Sequence, residues 1–215
     1  MSNNGDYKPR NFRIISHATR NRILHVEDAL AIRQIRFDLW SFTRGRGSQG
    51  QAEAYVDADE ARLLFTELAT GTLRERFQSI GGSRRDGQVV ARVITVEEVQ
   101  ANNPVKITIQ NGPGIPQQNG LITPAWWRRA CSPPHKGPDQ TERKASKRVG
   151  SDRETKPETE LAVLLDRRTA RKIALAVLAH LSAWATATYY QRIADNTWQP
   201  PREAVVDPET GEIIS

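Results

Sequence analysis

Apolar and polar positions first alternate cleanly at Ile35, Phe37 and Leu39, which interleave with Arg36, Asp38 and Trp40. That period of two predicts a strand over residues 32–42 with one face buried. The glycine-rich stretch 44–50 (RGRGSQG) has the composition of a mobile hairpin loop, and residues 51–56 read as the returning strand. The period then changes. Ala61, Leu64, Phe65 and Leu68 follow the i, i+3, i+4, i+7 rule of an amphipathic helix that needs a sheet to cover. Asp57 with Glu60 three residues on fits a capping box, and Gly71 is the expected stop. The unit is thus strand, loop, strand, helix.

A second unit follows. Residues 89–96 and 105–109 are rich in β-branched side chains, and Asn102-Asn103-Pro104 between them is turn chemistry. A strand over 161–165 leads to Asp166 and a helix whose stripe is Ala170, Ile173, Val177, Leu181 and Trp184, continuing to about Ile193. Segments 55–68 and 164–177 superpose with Asp57 on Asp166, Ala61 on Ala170, Arg62 on Arg171 and Leu64 on Ile173, 109 positions apart. The expected fold is therefore α+β: two β-hairpin-plus-helix units forming antiparallel sheets with packed helices, related by a pseudo-two-fold axis. The expected organisation is a flexible basic arm (1–22), a first unit (23–80), a second unit (81–198) and an acidic tail (199–215). The second unit carries a long insertion, 115–158, that replaces the short hairpin loop of the first. It holds six of the twelve prolines and nine Lys or Arg against five acids, so most of it is expected to be disordered.

Charge narrows the class. The chain has 31 basic and 25 acidic residues, a net of +6, but Glu203, Asp207, Glu209 and Glu212 all lie beyond the last basic residue, Arg202. The remainder holds 31 basic against 21 acidic residues, or +10, the electrostatic footprint of a polyanion binder. No apolar run approaches the roughly 20 residues that span a bilayer, so no membrane partner is expected. The N-terminus lacks a secretory apolar stretch, and the single Cys131 has no disulfide partner within the chain, which makes the cytoplasm the expected compartment.

Catalysis finds little support. His17, His25, His135 and His180 are scattered with no metal-ligand spacing, and Cys131 has no nearby base. Asp38, Glu53 and Asp57 resemble a metal-nuclease set only until Asp57 is explained as a helix cap. The GxG elements at 45–47 and 112–114 lack the strand-turn-helix setting of a dinucleotide site. The expectation is a protein that is not an enzyme and uses no cofactor or metal.

Nucleic-acid binding fits better. Alternation puts Arg36, Trp40 and Phe42 on one strand face, followed directly by Arg44 and Arg46, and an aromatic platform beside cations suits single-stranded nucleic acid. The bland alternative packs Trp40 and Phe42 under a helix or at a dimer seam. In the insertion, Trp126, Trp127, Arg128 and Arg129 form a second aromatic-cation island, which either binds nucleic acid or docks on the protein's own surface.

The run IRFDLWSF, a Gly-rich loop and YVDADEARLLFTEL resembles the core of the positive-cofactor-four and Whirly family of single-stranded DNA-binding proteins. VKITIQ with LAVLLDRRTARKIAL resembles it a second time. In that family a curved antiparallel sheet feeds a helix through an Asx cap, and two units pair to grip single-stranded DNA. The resemblance covers about a third of the chain, and a long insertion and the lack of a lysine-glycine loop depart from it. It implies contacts from Arg36, Trp40, Phe42, Arg44 and Arg46, with Lys106 and Thr108 as their second-copy equivalents. The other readings are a protein-interaction or self-assembly module forming homo-oligomers, and then an RNA-binding protein or duplex-DNA regulator. The acidic tail would fold back on the basic surface or recruit a protein.

Overall fold

Each of two antiparallel sheets in the computed structural model is followed by a helix, so the chain is α+β and mostly strand. The structure describes residues 12–43, 45–73, 75–85, 87–127 and 156–195, with 205–206 and 213–214. Strands β1 (Arg13–Ala18), β2 (Arg22–Ala29), β3 (Gln34–Thr43) and β4 (Gly47–Asp57) pair in sequence order, and helix α1 (Ala58–Thr70) follows. Then come β5 (Phe77–Arg85), β6 (Gln88–Glu98) and β7 (Val105–Pro116). The far edge of β7 is shared: residues 105–111 pair with β9 (Thr159–Leu165), and residues 114–116 with β8 (Ile122–Pro124). Helix α2 (Arg167–Ala194) succeeds β9, and β10 (Val205–Val206) pairs with β11 (Ile213–Ile214). Two compact units result, Met1–Leu178 with both sheets and Ala179–Ser215.

The core follows the predicted periodicities. Leu24, Val26, Ile35, Phe37, Leu39, Ala54 and Val56 are buried on the first sheet, as are Ala61, Leu64, Phe65 and Leu68 on α1. The Phe37 and Phe65 rings stack at 5.7 Å between centroids, and burying each ring contributes about 1.5–3 kcal/mol. In the second sheet Ile94, Val96, Ile107, Ile109, Val163 and Leu165 do the same, with Ala170, Ile173 and Val177 of α2. Both helices start on an aspartate. Asp57 accepts from the Asp59 N–H at 2.9 Å, and Asp166 accepts from the N–H and hydroxyl of Thr169 at 2.9 and 2.7 Å. The Thr169 hydroxyl and backbone bonds hold the Asp166 carboxyl below its ordinary range. Gly71 closes α1 in the left-handed conformation, φ 74°.

Several expectations need correction. Residues 13–18 and 22 are strand rather than flexible arm, while residues 1–11 lie outside the described part. Strand β1 is an edge strand whose Arg13, Ser16 and His17 suit an exposed edge but, after the basic residues before them, read in sequence as a flexible arm. Each sheet also has more strands than a hairpin. Strand β2 carries His25, Glu27 and Asp28, and β5 carries Gly81 and Gly82, so neither shows a clean apolar alternation. The start of the insertion is ordered through β8 and a 3-10 turn at Ala125–Trp127; residues 128–155 lie outside the described part. Finally, α2 is long and apolar enough to cross a membrane, although its first half buries Ala170, Ile173, Ala174 and Val177 as a core helix does.

Candidate nucleic-acid interface

Strand pairing fixes what lies on the outer face of the first sheet. Glu27, Arg36 and Tyr55 form one cross-strand row, and His25, Asp38 and Glu53 the next. Arg36 donates to Glu27 Oε2 at 2.7 Å and, through Nε and Nη2, to Glu53 Oε2 at 3.1 and 2.7 Å. The other Glu53 oxygen takes Arg92 of β6 at 3.0 Å, and Arg92 also donates to Ser83 at 2.7 Å and lies 5.8 Å from the Tyr55 ring centre. Burial opposes the Arg36 charge, but the Glu53 hydrogen bond and the Asp38 and Glu53 charges outweigh it and hold the guanidinium above its ordinary pKa. Burial, then Glu53, raises the Tyr55 phenol, and burial, then Arg13, lowers the His25 imidazole. This face is a closed ion-pair network.

Trp40 belongs to the same network. Its indole N–H donates to Asp38 Oδ2 at 2.7 Å, while Gln51 donates to Asp38 Oδ1 at 2.7 Å. The ring is half-buried over an open hollow of about 660 Å³ lined by Arg13, His25, Glu27, Arg36, Asp38, Trp40 and Gln51. Its cations are matched by Glu27 and Asp38, so the hollow offers an aromatic surface without surplus positive charge.

No family model matches the chain, and no curated protein matches it either.

Surplus charge sits at the end of the same sheet, away from α1. The turn between β1 and β2 is tightened by Thr19, whose hydroxyl accepts from the Arg22 N–H at 3.1 Å. The turn between β3 and β4 closes with the Arg46 N–H on the Thr43 carbonyl at 2.9 Å, over Gly45 at φ 80°. The Phe42 N–H donates to the Asn21 carbonyl at 3.2 Å and ties the two ends together. Between them lies an open groove of about 800 Å³ lined by Arg20, Asn21, Arg22, Ser41, Phe42, Thr43 and Gln49. Among the described residues no carboxylate pairs with Arg20, Arg22 or Arg46.

The expected binding residues therefore separate. Phe42 and Arg46 stand at the groove end; Arg36 and Trp40 are held in the polar network. Arg44, Arg128 and Arg129 lie outside the described residues. Lys106 pairs with Glu97 at 3.3 Å, and Thr108 is buried at 8% exposure with no partner for its hydroxyl. Trp126 seats on Gly112, where a Cβ would come within 2.9 Å of its ring, and Trp127 is half-buried. Arg20 and Arg22 fall outside the expected set because composition alone reads residues 1–22 as a flexible basic arm. The Thr-Arg-Asn-Arg run between apolar stretches 13–18 and 23–29 was the available turn signal.

Asp57 caps α1 and takes no part in a cluster with Asp38 and Glu53. Among the described residues no group of three His, Cys, Asp or Glu side chains converges on a metal-sized site.

Proposed function

We propose that the chain is a non-enzymatic single-stranded DNA-binding protein whose contacts run through the open end of the first sheet. The observation that carries this reading is the groove: exposed Arg20, half-buried Arg22 and Phe42 line one open space, and among the described residues no carboxylate pairs with the arginines. Backbone neutralisation and base stacking are the two things single-stranded DNA needs, and a stacked base is worth about 1–3 kcal/mol. The +10 balance outside the acidic tail supplies long-range attraction.

We also infer that the two sheet-helix units are a duplicated, pseudo-two-fold pair. Three correspondences support it. Four strands precede each helix in the same pairing order when β8 is set aside, an aspartate caps each helix, and the Glu27–Arg36 pair has its equivalent in Glu97–Lys106 at the same register.

A labelled 20-nucleotide single strand should bind more tightly than its duplex, with affinity falling between 50 and 200 mM salt, roughly as one charge per neutralised phosphate predicts. Equal binding to both forms, or none, removes the reading. A protein-interaction role is the second reading, favoured by exposed Tyr189, Tyr190 and Ile193 on the distal half of α2. Higher oligomers in solution without DNA would support it.

A further inference from the structure

Strand register equates particular arginines in the two sheets. Glu27 opposite Arg36 corresponds to Glu97 opposite Lys106, and five residues earlier on β2 and β6 stand Arg22 opposite Ser41 and Arg92 opposite Asn111. Arg22 and Arg92 are therefore the same position. Each is half-buried, and each has its Nε enclosed without a partner.

Their surroundings differ. Arg92 is neutralised: Glu53 binds it at 3.0 Å, Ser83 accepts at 2.7 Å, and Tyr55 lies beside it. The equivalent of Glu53 in the second sheet, matched through the shared aspartate caps at the ends of β4 and β9, is Ala162. Arg22 has no such carboxylate partner among the described residues. Among the described residues its guanidinium makes one hydrogen bond, a donation to the Asn21 carbonyl at 3.0 Å. A half-buried guanidinium left without a counter-charge, opening onto a groove, favours binding an anion that restores the charge-assisted pair.

We propose that Arg22, with Arg20 beside it, is a phosphate subsite that takes one backbone phosphodiester of single-stranded DNA, leaving the next base to stack on Phe42. The proposal rests on the single-strand reading above and names the phosphate contact within it. Asymmetry follows directly. The first unit presents this subsite, and the second, with Arg92 already paired, does not.

The test uses the full chain and a fluorescein-labelled 20-nucleotide oligothymidylate, titrated by anisotropy at several KCl concentrations between 50 and 200 mM. Arg22→Gln should weaken binding about tenfold at 50 mM and reduce the slope of log affinity against log salt by about 0.7, the value for one phosphate on a single strand. Arg22→Lys should keep the slope, because the charge remains, while losing affinity with the bidentate fork. Where Arg22→Gln fails to fold, the exposed Arg20→Gln carries the same expectation of a reduced slope. Wild-type binding with an unchanged affinity and slope in the glutamine variant overturns the subsite and leaves the single-strand reading standing. No binding by the wild type at any salt removes both.

Discussion

Replacing Arg36 by methionine separates structure from binding, because its guanidinium is held by two carboxylates and approached by a third. Glu27 and Asp38 have side chains only 8% and 6% exposed, and Arg36 itself is 18% exposed. Removing one partner of a buried pair generally costs about 3–5 kcal/mol, since a carboxylate is left in a dry environment without its counter-charge. Here the loss is partly offset. Glu27 keeps Arg13 at 3.7 Å, Glu53 keeps Arg92 at 3.0 Å, and Asp38 keeps the Trp40 and Gln51 donors. Arg13 is 53% exposed and therefore a weak substitute. The expected loss for Arg36→Met is about 2–3 kcal/mol. Urea unfolding followed by circular dichroism, extrapolated linearly to water, measures it. The folded variant should bind a single-stranded oligonucleotide as the wild type does. A loss below about 1 kcal/mol would refute the reasoning from burial. Full stability with a binding defect would move Arg36 from the structural network to the interface.

Two further outcomes follow from the same geometry. Because burial and Arg13 hold the His25 pKa below its ordinary value, the unfolded chain binds that proton more readily, so stability should fall as pH drops through about 6.5; His25→Gln should show a smaller decline in urea midpoint between pH 7.5 and 5.5, and an identical decline would exclude His25 as the cause. Gly112→Ala should destabilise by about 1–3 kcal/mol and shift tryptophan emission to the red, because the new methyl would lie 2.9 Å from Trp126, 3.0 Å from the Glu158 nitrogen and 3.2 Å from the Pro157 Cα. Wild-type melting and emission would show that Trp126 does not depend on this seat.

Sequence periodicity alone was enough for β3, α1, β6, β9 and α2, for the later part of β4 and the start of β7, and for both aspartate caps; residues 47–50 read as hairpin loop but pair with β3. These are local properties: a side-chain period, or an acceptor two or three residues from its donor, is complete within a short stretch of chain. The remaining strands depended on partners. Strand β1 is an edge whose Ile14 and Ile15 acquire their role only beside β2, and β5 is a strand through its pairing with β6 despite Gly81 and Gly82. The site divides along the same line. Arg36 and Trp40 looked like a binding face because alternation gives the side of a strand but not what stands opposite; Glu27 and Glu53, 9 and 17 residues away, engage the arginine. Arg22 reads in sequence as part of a flexible basic arm, and only the register of β2 against β3, compared with β6 against β7, equates it with Arg92. The sequence by itself determined the alternation, the caps and the sign of the charge. The tertiary structure decided which cations are neutralised, because charge pairing across strands depends on distances that chain order does not specify.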